Sequence, residues 1–151
     1  MNINRRVVAW KRMLVCGQVN PPPVSSANYH GVFFSDKDDM ESKAKGLKGT
    51  PLRVEHNAKV HVGRVLDGWT DARGAMWALA EIDTQHMKGA LTAAAVEQGK
   101  LGEFSLGYVT KMLPRADGVR EKRIMELSIV KKGARDGCHI EMFRSDCTKK
   151  T

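Results

Sequence analysis

The stretch from Pro51 to Asp83, PLRVEHNAKVHVGRVLDGWTDARGAMWALAEID, limits the fold more than any other part of the chain. Its β-branched and apolar residues follow the short period of strands and not the 3.6-residue period of a helix. It reads as a strand ending in His56, a second strand through Val60, Val62 and Val65, and a third through Met76, Ala78 and Ala80. Asp71 to Gly74 supplies the turn between the last two. Apolar residues on both faces of the third strand are the pattern of a closed or covered sheet. A histidine is thereby set at a strand end, where a loop can present it.

The flanking sequence adds strands and two helices. Arg5 to Val19 is β-branched without helical spacing and stops at Pro21, Pro22 and Pro23; Val24 to Phe34 reads as irregular. Ser35 caps an expected helix over Asp36 to Lys45, closed by Gly46. Asp83 and Thr84 offer a second cap, after which Met87, Leu91, Ala94 and Ala95 share one helical face until Gly99. From Gly102 to Met112, Phe104, Leu106 and Tyr108 alternate with Ser105, Gly107 and Val109. A turn over Pro114 to Gly118 leads into a strand from Arg120 to Val130, in which Glu126, Ser128 and Val130 share a face. The expected fold class is mainly β (α+β): one closed or partly open β-barrel with one or two peripheral helices. Residues 1–144 form the domain, with its core in 50–140, and residues 145–151 form a polar, flexible tail.

A chain of 151 residues holds one ordinary domain, and 42% hydrophobic with 28% charged residues is the composition of a globular protein. The formal charge of +8 favours polyanions or acidic protein partners. No nucleic-acid-binding motif accompanies it, so nucleic acid is not required and a solvated basic face accounts for the charge. Cys16, Cys138 and Cys147 are odd in number and lack paired spacing, which fits a reducing compartment. No apolar run reaches the roughly 18 residues of a membrane span, and the charged start is no signal peptide. A soluble intracellular protein without membrane partners is expected.

A serine hydroxyl becomes a nucleophile at neutral pH only with a base in hydrogen-bond reach, itself oriented by a third group. Ser105, His56 and Glu126 have the residue types for those roles. Each taken alone is ordinarily structural: a serine in a strand, a histidine at a strand end, a solvated glutamate. His139 competes with Glu126 as the third member. His56, Cys138 and His139 are zinc-ligand types without zinc spacing, so neither a metal nor a cofactor is expected.

PLRVEH followed by VGRV, then SL within an apolar strand, then a strand entering GARDG, resembles the herpesvirus capsid maturation proteases, or assemblins, and the related prohead proteases of tailed bacteriophages. The resemblance covers roughly Thr50 to Ile140. In assemblins the histidine that closes a strand and precedes V-G-x-V is catalytic, which corresponds to His56, and the serine of the S-L strand corresponds to Ser105. Where assemblins carry a second histidine, at the head of the strand entering the closing turn, this chain has Glu126, as the phage relatives tend to have an acidic residue. The closing turn of assemblins forms the oxyanion hole. Carried over, that places a backbone N–H at Ala134 and a guanidinium that holds a water at Arg135.

The resemblance implies a serine endopeptidase that cuts the capsid scaffolding protein and its own flanking segments inside the immature capsid, or prohead. The major capsid protein is a second partner that it allows. A homodimer is compatible with it, although the chain is shorter than an assemblin and lacks most of the C-terminal helices through which those enzymes dimerise. The contrasting expectation is a non-enzymatic basic β module that binds scaffold protein or nucleic acid in a capsid.

Overall fold

In a computed structural model of the chain, residues 8–22, 37–112, 120–135 and 137–150 are described. Chain order is β1 (Val8–Asn20), α1 (Lys37–Lys45), β2 (Pro51–Val54), β3 (His61–Thr70), β4 (Met76–Asp83), α2 (Met87–Glu97), β5 (Glu103–Met112), β6 (Arg120–Val130) and β7 (Ile140–Lys150). The expected strands and both helices are present, with two boundaries shifted: β2 stops at Val54, two residues short of His56, and β3 begins at His61, after Val60. The irregular stretch at 24–34, the cap at Ser35 and the turn at 114–118 lie outside the described residues.

The strands form one sheet in the order β5-β6-β2-β3-β4-β1-β7. Its neighbours pair antiparallel except β2 and β6, which run parallel with Leu52 opposite Leu127 and Val54 opposite Ile129. The sheet curls until its two edge strands meet at one end. There Glu103 bridges to His139, the Phe104 N–H donates to the Cys138 carbonyl at 2.7 Å, and the Ile140 N–H donates to the Gly102 carbonyl at 2.9 Å. The result is a half-barrel with two helices.

Inside the curl lie Met13 and Val15 of β1, Leu52 of β2, Val65 of β3, Ala78, Ala80 and Ile82 of β4, Phe104 and Leu106 of β5, and Leu127 and Ile129 of β6. Met40, Ala44 and nearby Leu47 cover this core from the α1 side. Phe104 is wholly buried, and truncating such a ring ordinarily costs about 3–5 kcal/mol. Because Phe104, Leu106 and Tyr108 face the core, Ser105, Gly107 and Val109 are turned to the other face of β5.

Two expectations are corrected. Helix α2 does not bury Met87 and Leu91, which are 78% and 65% exposed; it buries Gly89, Thr92, Ala93 and Val96. The reason is close approach: a Cβ on Gly89 would fall 1.7 Å from the Asp83 carbonyl oxygen, so the helix seats its smallest residues and turns the long ones outward. Its N-cap position is His86, without a side-chain cap, while Asp83 accepts the Gln85 N–H at 2.9 Å. The second correction concerns the polar end, where residues 145–150 are not a loose tail but continue β7, pairing with β1 from Ser145 opposite Met13 to Lys150 opposite Val8. A backbone ladder holds this strand regardless of side-chain polarity.

Candidate active site

Strand β2 stops at Val54, and the next two residues adopt left-handed backbone, Glu55 at φ 50° and His56 at φ 57°. That conformation costs a non-glycine residue roughly 1–2 kcal/mol and persists where surrounding contacts hold it. The contacts come from β6: the Glu55 N–H donates to the Ile129 carbonyl at 3.1 Å, and the His56 N–H donates to Ser128 Oγ at 3.0 Å. The bend turns the imidazole back over β5 and β6.

Opposite one another on those strands stand Ser105 and Ser128, then Gly107 and Glu126. His56 Nε2 lies 3.0 Å from Ser105 Oγ, and His56 Nδ1 is hydrogen-bonded to Glu126 Oε1. The carboxylate's other oxygen, Oε2, accepts the Ser128 hydroxyl at 2.7 Å. With Nδ1–H donated to the carboxylate, Nε2 is left to accept the serine proton. Ser105, Glu126 and Ser128 are 5%, 4% and 0% exposed, so the polar groups of this cluster are buried and partnered. The His56 side chain, 43% exposed, is its open member.

Electrostatics follow from this arrangement. His56 is pushed above its ordinary value, chiefly by the hydrogen bond to Glu126, against the opposing effect of burial and with smaller help from the charges of Glu126 and Glu55. Gly107 makes the arrangement sterically feasible, because a Cβ there would sit 2.1 Å from Glu126 Oε1. Neither Gly107 nor Ser128 was singled out from the sequence, yet a period of two from Ser105 and from Glu126 leads to them.

The turn after β6 lies against the start of β5. A Cβ on Gly133 would come within 2.6 Å of the Phe104 carbonyl oxygen, one residue before Ser105. Ala134 is half-buried and Arg135 is 4% exposed, its guanidinium 5.4 Å from the centre of the Tyr108 ring. Burial lowers the Arg135 pKa and Tyr108 opposes the shift; an arginine stays charged regardless. His139 does not join the cluster: its Nδ1 faces Glu103 Oε2 at 3.8 Å and its side chain is 57% exposed. Among the described residues, no group of three or more His, Cys, Asp or Glu side chains could hold a metal ion.

The curled seven-stranded sheet with its two helices is the fold of the herpesvirus proteases. The solved structures it matches include those of the Kaposi's sarcoma-associated herpesvirus protease. In complex with a hexapeptide phosphonate inhibitor, that protease superposes with a TM-score of 0.63 at 14% identity, over 89% of this chain and 65% of the longer one. Bound to allosteric inhibitors it gives TM-scores of 0.58 and 0.57 at 14% and 16% identity, over 89% and 88% of this chain and 77% and 76% of the other. No protein-family model and no curated protein matches the sequence. The described helices include none long and apolar enough to cross a membrane.

Proposed function

We propose that the chain is a serine endopeptidase of the capsid maturation type, which cleaves an internal scaffolding protein and its own flanking segments inside an immature capsid. The observation that carries the reading is one imidazole in contact with both a serine hydroxyl and a buried carboxylate. The fold supports it.

In the proposed reaction Ser105 Oγ attacks the scissile carbonyl carbon while its proton passes to His56 Nε2. Glu126 orients the ring and offsets the imidazolium charge. The negative charge that develops on the carbonyl oxygen is taken by the Ala134 N–H, with Arg135 supporting it through a water. Donors preorganised in this way are each worth about 3–4 kcal/mol of barrier. The C–N bond then breaks, Nε2 returns its proton to the leaving amine, and a water activated by the same nitrogen hydrolyses the acyl-enzyme.

The test uses a fluorophosphonate probe and co-expression with a candidate capsid scaffolding protein, both read by intact mass. Wild type gains one adduct at Ser105 and cuts the scaffold, whereas Ser105→Ala does neither. Equal cleavage in the presence of wild type and of Ser105→Ala would falsify the reading, and a wild type that neither labels nor cuts would favour a basic module that binds without cutting.

A further inference from the structure

Two carboxylates outside the His56 contact reach the same turn. Glu55, next to His56, accepts the Lys131 N–H on Oε1 at 2.7 Å. Glu103, two residues before Ser105, accepts the Gly133 N–H on Oε1 at 2.8 Å. The segment bearing the histidine and the strand bearing the serine therefore each grip the turn that runs on into Ala134 and Arg135. Bonds from an N–H to an ionised carboxylate are shorter and stronger than those between neutral groups. A surface glutamate is ordinarily solvated, but Glu55 holds a left-handed backbone that a free glutamate would not keep. Glu103 Oε2 lies 3.8 Å from His139 Nδ1, beyond hydrogen-bond reach, so the Gly133 amide is the firm hold on that carboxylate.

We propose that Glu55 and Glu103 are positioning residues of the proposed reaction, fixing the turn so that the Ala134 N–H and Arg135 are in place over Ser105 before substrate binds. This rests on the protease reading above. Their side chains need not touch substrate; they act through the Lys131 and Gly133 amides.

Four variants separate positioning from mere support. Glu55→Gln and Glu103→Gln keep an acceptor oxygen, whereas Glu55→Ala and Glu103→Ala remove it. Each alanine variant is expected to lower kcat about ten- to a hundred-fold with KM within about two-fold, somewhat less than full loss of an oxyanion donor. Each glutamine variant should retain at least about a third of wild-type kcat, because the hydrogen bond survives. Alanine variants within two-fold of wild type, or glutamine variants that fall as far as the alanines with Tm falling in step, overturn the proposal. Amide hydrogen exchange read by NMR gives an answer that does not depend on activity: Lys131 and Gly133 should exchange at least about ten-fold faster in the matching alanine variant. Unchanged protection overturns the clamp, and failure of wild type to label with the probe overturns the protease reading and with it the catalytic role of the clamp, whose hold on the turn the exchange data still report.

Discussion

A recess of about 660 Å³ lies over β1, β4 and β7, lined by Leu14, Cys16, Leu79, Met142 and Phe143, while Ser105 on β5, Glu126 on β6 and His56 just past the end of β2 stand in the other half of the sheet. The recess has volume and apolar walls. Its nucleophilic atom, the Cys16 thiol, is held above its ordinary value by burial first and by Glu141 second, so little thiolate is present near neutral pH. The other half offers buried polar groups that satisfy one another. The proposed reaction draws on a partnered polar network and on backbone bent to complete it, not on the size of a hollow.

Beyond the loss of Ser105, the largest expected effect is that of Glu126→Gln, a fall in kcat of about 10³- to 10⁴-fold. The pH profile carries the diagnosis. His56 must be neutral to act as a base, so kcat/KM falls at low pH with a midpoint above the ordinary histidine value, and Glu126→Gln moves that midpoint down. A histidine whose folded pKa is raised contributes stability that is complete below the unfolded value and lost as pH rises through the folded one. The Tm gap between wild type and Glu126→Gln should accordingly be widest below about pH 6.5 and narrow above it. An unmoved midpoint would mean that Glu126 does not govern the imidazole.

Gly107→Ala comes next. Its Cβ would lie 2.1 Å from Glu126 Oε1 and 2.6 Å from Cδ, so the carboxylate must shift. The expected result is about a hundred-fold loss of kcat with about 1–3 kcal/mol of stability, read by steady-state kinetics and urea melts. Wild-type kinetics in this variant would show that Glu126 has room to spare.

The smallest effects are expected in the other half of the sheet. Cys16→Ser and Phe143→Ala should leave kcat within about two-fold, and Phe143, 48% exposed, should cost no more than about 0.5 kcal/mol. A large kinetic defect in either variant would make the recess part of the substrate site and erase the contrast between the two halves.

Those halves were also unequally legible in the sequence. The strands around the histidine announce themselves because one face is buried and the alternation survives, as in Phe104, Leu106 and Tyr108 against Ser105 and Gly107. Strand β7 gives no such signal: from Glu141 to Ser145 its described side chains are all exposed, and it lies at the edge of the sheet, held by pairing with β1. For α2 the periodicity was real but pointed to the wrong face, because pattern counts large apolar residues while packing here selected small ones. Ser105, His56 and Glu126 could be named from residue type and resemblance, and the structure brings them within hydrogen-bond reach. What no pattern announces is the left-handed backbone at Glu55 and His56, since neither is a glycine and the contacts that hold them come from a strand some seventy positions onward.

The parallel pairing of β2 with β6 has a consequence in time. His56 emerges early in synthesis and Ser105 follows, but Glu126 lies 70 residues beyond His56, and the pairing that unites them closes over β3, β4, α2 and β5. Such a long-range closure is among the slow steps of assembling a sheet. A chain still leaving the ribosome thus carries Ser105 and His56 without Glu126, and the reaction proposed above becomes available only once the fold is complete.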